Sequence, residues 1–112
     1  MQRIIFVIAL LNASAASFAA ENPLVAPSDV KAKYIILEIG GEWPNRTIVT
    51  KRVGSIVTSY SKRIYNCSNK TFKYVSSGDT LADKAWSKPD QNMTSIVPRS
   101  IADYAGRPAC KR

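Results

Sequence analysis

Two cysteines, Cys67 and Cys110, stand out in a 112-residue chain that otherwise offers little reactive chemistry. The chain contains no histidine, which removes the commonest general base and the commonest zinc ligand. Its eight carboxylates are scattered, and Glu38 with Glu42 is the candidate acid–base pair. A retaining glycosidase would need two such groups about 5–5.5 Å apart. No Gly-rich phosphate loop, metal-ligand spacing or C-x-x-C redox motif occurs. This inventory points away from an enzyme and implies no cofactor and no metal.

The cysteines therefore read as structural. In an oxidising compartment two cysteines have a single intramolecular pairing, here Cys67 with Cys110. Such a crosslink is worth about 4 kcal/mol by loop entropy, a large share of the roughly 5–10 kcal/mol expected for a domain this small. The compartment is read from the first nineteen residues. Arg3 makes a short positive region, Ile4 to Leu11 form an apolar run, and Ser17 and Ala19 suit a cut after Ala19. That is the layout of a secretory signal peptide, residues 1–19. The run is far shorter than the roughly 20 apolar residues of a membrane span. The first cysteine is Cys67, so no lipid-carrying cysteine follows the cut. The expected product is an exported, unacylated protein, periplasmic or carried on to the cell surface or medium.

Charge supplies the main hint about partners. Sixteen Lys and Arg oppose eight Asp and Glu, a net of +8. Between Trp43 and Gly78 there is no acidic residue, while Lys51, Arg52, Lys62, Arg63, Lys70 and Lys73 are interleaved with Tyr60, Tyr65, Phe72 and Tyr74. These six cations are the candidate binding residues. A field of one sign favours an acidic protein or an anionic glycan or envelope ligand. Nucleic acid is not the expected partner. Lysines on edge strands also serve to block aggregation, and that reading accounts for the same residues.

The elements that must position them are mainly strands. Residues 20–33, with Pro23 and Pro27, read as an extended or disordered arm. "KYIILEI" is a strand that stops at Gly40-Gly41, and "EWPNR" is a turn. "TIVTKRV", "SIVTSYSKRIYNC" and "KTFKYVSS" are three more strands, the last two joined by a short polar hairpin loop. "DTLADKAW" reads as a short helix or ordered loop, with Trp86 as a core or rim anchor. "MTSIV" is one further strand. Ser100 and Asp103 resemble a capping box, and Gly106 followed by Pro108 is a stop signal. A helix over Ile101–Ala105 is expected, held by the disulfide beyond its end. The fold class is α+β, mainly β: an antiparallel meander of about four to six strands with a short tethered C-terminal helix, all in one domain over residues 34–112.

The segment from Tyr60 to Cys110, through "YNCSNKTFKYV", Gly78, Trp86 and "IVPRSIADYAGRPAC", resembles the surface-adhesin protein E family of Gram-negative bacteria. Cys67, Phe72, Lys73, Trp86, Pro98, Ser100 and Cys110 fall at corresponding places. Asn66 stands where that family usually has Asp before the cysteine, and the family's lipid anchor has no counterpart here. The resemblance implies an antiparallel sheet with a disulfide-tethered helix, and a function in binding host matrix or serum glycoproteins. The leading expectation is thus an exported, non-catalytic binding module acting through a basic sheet surface. The alternative is a soluble periplasmic accessory protein of an envelope machine, such as a secretion or conjugation apparatus.

Overall fold

A computed structural model describes residues 22–81 and 88–112. The signal-peptide reading, Trp86 and most of "DTLADKAW" lie outside the described residues.

Six strands follow one another as an antiparallel meander in the order β1-β2-β3-β4-β5-β6. They are β1 (Asn22–Leu24), β2 (Lys33–Glu42), β3 (Asn45–Val53), β4 (Thr58–Asn66), β5 (Thr71–Gly78) and β6 (Thr94–Ser95), and helix α1 (Ile101–Ala109) follows. The expected class, a mainly β meander with a tethered C-terminal helix, is the class observed. Strands β2 to β5 are joined by short turns and need no crossover, so local connections suffice to build the centre of the sheet.

Several boundaries differ from the sequence reading, two of them at β1 and β2. The supposed arm contributes strand β1, whose Leu24 lies opposite Tyr34 and is buried in the core. One apolar side chain in a proline-bearing stretch is enough to dock an edge strand, and alternation over three residues is too short to read. Strand β2 also runs through Gly40 and Gly41 to Glu42, which pairs with Asn45 around a cis Trp43–Pro44 turn. Gly41 has φ +80°, and a Cβ there would come 2.4 Å from the Asn45 carbonyl oxygen. The glycine permits a close approach inside the hairpin; it does not end the strand.

Helix α1 packs on one face of the sheet. Ala105 and Ala109 meet Tyr34, Ile48 and Tyr65, with Ile36, Phe72, Ile96 and Ile101 around them. Small residues on the helix let it settle close to large ones on the strands. Ser100 caps it, its Oγ accepting from Asp103 N at 3.2 Å. The reciprocal bond reaches one residue further back than a capping box, from Arg99 N to Asp103 Oδ2 at 2.7 Å. Contrary to the expected stop, the helix continues through Gly106 and Pro108 to Ala109. Gly106 sits against the ring of Tyr65, where a Cβ would come 2.8 Å from Cε2. Packing and the crosslink carry the helix past residues that would end it in isolation.

The Cys67–Cys110 bond joins the end of β4 to the end of α1, with Cα atoms 5.6 Å apart. Other contacts hold the same place. Arg46 Nε donates to the Ala109 carbonyl at 3.0 Å, and Trp43 Nε1 to that of Cys110 at 3.3 Å. The Arg112 guanidinium lies 3.6 Å from the centroid of the Trp43 ring. Carbonyls at a helix C-terminus lack intrahelical donors, and a cation is favoured there.

Candidate functional site

Strand alternation sends the cations of residues 43–78 to two different faces. On the face that carries α1, register places Arg46 opposite Tyr65, Arg63 opposite Tyr74 and Arg52 opposite Tyr34. On the other face, Lys51 lies opposite Tyr60, Lys62 opposite Val49 and Lys73 opposite Ile64. Arginine goes to the helix side and lysine to the open side. The split follows side-chain chemistry: a guanidinium satisfies several fixed acceptors in a half-buried place, whereas an ammonium stays hydrated.

The arginines are spent on structure. Arg63 is 3% exposed. Its Nη1 donates to Thr50 Oγ1 at 3.1 Å, its Nη2 to the Tyr74 hydroxyl at 3.0 Å, and its charge lies 4.7 Å from the Tyr74 ring centroid. Its Nε–H has no acceptor among the described residues. Arg52 pairs with Asp29 at 2.9 Å, and Tyr34 donates its hydroxyl proton to the same carboxylate at 2.8 Å. Hydrogen bonds from Arg52 and then Tyr34 hold the Asp29 carboxyl below its ordinary pKa, and Asp29 in turn holds the Arg52 guanidinium more firmly protonated. Burial, followed by the bond to Asp29, raises the Tyr34 phenol. This cluster ties the turn before β2 to β3. The expected six-residue patch is corrected accordingly: Arg52 and Arg63 belong to the helix-bearing side and are not part of one surface with the lysines.

Lys70 is separate again. It occupies the β4–β5 turn with φ 59°, its N–H donating to the Asn66 carbonyl and its own carbonyl accepting from Ile96 N. Asn66 organises this turn, its Oδ1 accepting from Ser68 N and Asn69 N. Lys70 stands beside the disulfide, with Ile96, Gly106 and Arg107.

What remains of the patch is a line. Lys33 pairs with Val53 on the rung before Lys51, so it shares the lysines' face. Moving one same-face rung and one strand at a time, the series runs Lys33 on β2, Lys51 on β3, Lys62 on β4 and Lys73 on β5. Strands about 4.8 Å apart and rungs about 6.7 Å apart make each step about 8 Å. Sequence reasoning missed Lys33 because the candidate cations were drawn from the acid-free stretch between Trp43 and Gly78. The signal for the rest was present, since Lys51, Lys62 and Lys73 recur every eleven residues, one per strand.

The surroundings suit extended contact. Val49 is buried at 3% on this face, and register surrounds it with Glu38, Thr47, Lys51 and Lys62. Lysine stems can cover such a residue while their ammonium groups stay in water. The Lys51 ammonium lies 5.9 Å from the Tyr60 ring centroid. Helix α1 packs on the opposite face, against Tyr34, Ile48 and Tyr65. Glu38 and Glu42 lie four residues apart along β2, about 13 Å in an extended strand, well beyond the separation of a carboxylate pair. Among the described residues no cluster of His, Cys, Asp or Glu is arranged to hold a metal ion.

No family model, curated protein or solved structure matches this chain. The reading of its function rests on its own geometry. Among the described residues, no helix is long and apolar enough to cross a membrane.

Proposed function

We propose that the chain is an exported, non-catalytic binding module, of the surface-adhesin E-like kind, whose lysine diagonal holds an anionic glycan of the envelope or of a host surface. The observation that carries this reading is the regular series Lys33, Lys51, Lys62 and Lys73 across four paired strands. A linear polyanion presents charge at repeated intervals, and a row of cations about 8 Å apart meets several of them at once. Tyr60 beside the row offers a ring to stack on a sugar face. A rigid sheet fixes the spacing in advance, so little side-chain order is lost on binding.

The test is retention on an immobilised sulphated polysaccharide, eluted with salt. A Lys51→Glu, Lys62→Glu, Lys73→Glu variant should elute at clearly lower salt than the parent. A control carrying Lys88→Glu, Arg99→Glu and Lys111→Glu, with the same loss of charge away from the row, should elute near the parent. Equal losses in the two variants would reduce the effect to net charge and sink the proposal. Protease shaving of intact cells, with a periplasmic marker as control, then separates a surface module from a periplasmic accessory of an envelope machine.

A further inference from the structure

Four of the five most exposed large aliphatic side chains among the described residues gather at one end of the sheet. Ile56 is 92% exposed, Val30 86%, Val25 74% and Val57 53%, while Val97, at 65%, lies apart between β6 and α1. Ile56 and Val57 occupy the β3–β4 turn, closed by the bond from Gly54 N to the Val57 carbonyl. Val25 leaves β1 just past the Leu24–Tyr34 pair. Val30 lies in the turn that leads into β2 at Lys33, opposite Val53. The Asp29–Arg52 pair links this turn to the strand leading into the β3–β4 turn. The four residues therefore belong to one end of the sheet, built from neighbouring turns, and exposed aliphatic groups in such a cluster mark an interaction surface.

The charged groups around that end are identifiable. Asp29 and Arg52 neutralise each other. Lys31 and Lys33 are exposed within three residues of Val30, and Lys51 lies one same-face rung beyond Lys33. Asp79 follows the end of β5, whose Gly78 pairs with Tyr60. The local balance is positive.

We propose that this end inserts into the headgroup layer of an anionic lipid bilayer. Val25, Val30, Ile56 and Val57 would reach the acyl boundary while Lys31 and Lys33 face lipid phosphates. A set of exposed aliphatic side chains with a cationic rim has the chemistry of an interfacial anchor, in which apolar insertion and attraction to anionic lipid add together. A concave apolar pocket on a partner protein would match the aliphatic groups but not the lysines. The inference goes beyond the glycan reading, with which it shares only Lys33.

The experiment is co-sedimentation of the exported chain with vesicles of mixed phosphatidylcholine and phosphatidylglycerol, and with phosphatidylcholine alone. The parent should bind the mixed vesicles and prefer them. An Ile56→Asp, Val57→Asp variant should lose at least about tenfold in affinity, and Ile56→Leu should bind like the parent. Both sites of change lie in an exposed turn, and an unchanged circular dichroism spectrum confirms folding. A Lys62→Glu, Lys73→Glu variant, which leaves Lys31, Lys33 and Lys51 in place, separates the two proposals, since it should weaken glycan retention and keep most vesicle binding. Failure of the parent to sediment with mixed vesicles overturns the inference. Full binding by the aspartate variant does so too. Self-association that Ile56→Asp abolishes, without vesicle binding, would assign this end to a second copy of the chain instead.

Discussion

Gly106 rests directly on the ring of Tyr65: a Cβ at that position would come 2.8 Å from Cε2. The ring cannot yield. Tyr65 is fully buried, its hydroxyl donates to the Ala102 carbonyl at 2.6 Å, and it stacks on Phe72 with centroids 5.7 Å apart. Gly106→Ala normally gains about 1 kcal/mol of helix propensity. Here overpacking should outweigh the gain, leaving a net loss of about 1–2 kcal/mol. Urea denaturation of the two proteins measures it, and a stabilised variant would show that α1 can lift off the sheet.

Tyr65→Phe should cost about 1–2 kcal/mol, because it removes a buried hydrogen bond between β4 and α1 without changing the ring. The same denaturation experiment reads the loss, which should appear as a lower midpoint at an unchanged slope.

Arg63→Glu should be a stability variant, not a binding variant. It puts a buried carboxylate where a guanidinium donates to Thr50 and Tyr74, and a loss of about 3 kcal/mol or more is expected. Lys62→Glu, one residue away on the opposite face, should change stability by less than about 1 kcal/mol. Thermal melts of the two single variants test this division of the sheet. Equal behaviour would refute it.

Reducing Cys67–Cys110 should lower stability by about 4 kcal/mol, given a sequence separation of 43 residues. Melts with and without reductant, with thiols counted before reduction, give the figure. Free thiols in protein taken from its native compartment would contradict the structural role of the bond.

Stability should be flat across neutral pH and fall at both ends. Asp29 and Asp103 have lowered folded pKa values, Asp29 through Arg52 first and Asp103 through the Arg99 N–H first. Their contribution is present above the ordinary aspartate pKa and lost as pH falls below about 4. Tyr34 and Tyr65 have raised folded pKa values, each chiefly through burial. Stability should therefore decline as pH rises past about 10. With no histidine, no side chain of ordinary pKa titrates between about pH 5 and 8. A steep slope in that window would reveal a titrating group outside these two pairs.

The sequence by itself determined the class of fold and its staple. β-Branched and aromatic runs, punctuated by turn residues, specify a meander because each strand needs only its neighbour. Two cysteines allow one intramolecular pairing, and the structure shows that bond between Cys67 and Cys110. Ser100 and Asp103 mark the start of a helix through contacts within one turn. The tertiary structure alone decided which cations share a surface. Alternation by two sends Arg52 and Lys51, or Arg63 and Lys62, to opposite faces, and only the register of β2 on β3 brings Lys33 into line with the other lysines. Gly106 illustrates the same division. Its local meaning is a helix stop, and only the ring of Tyr65, forty-one residues earlier in the chain, turns it into a contact that the helix requires. Local propensity is read along the chain. Faces, registers and close approaches are fixed across it, by side chains that meet only when the sheet has formed.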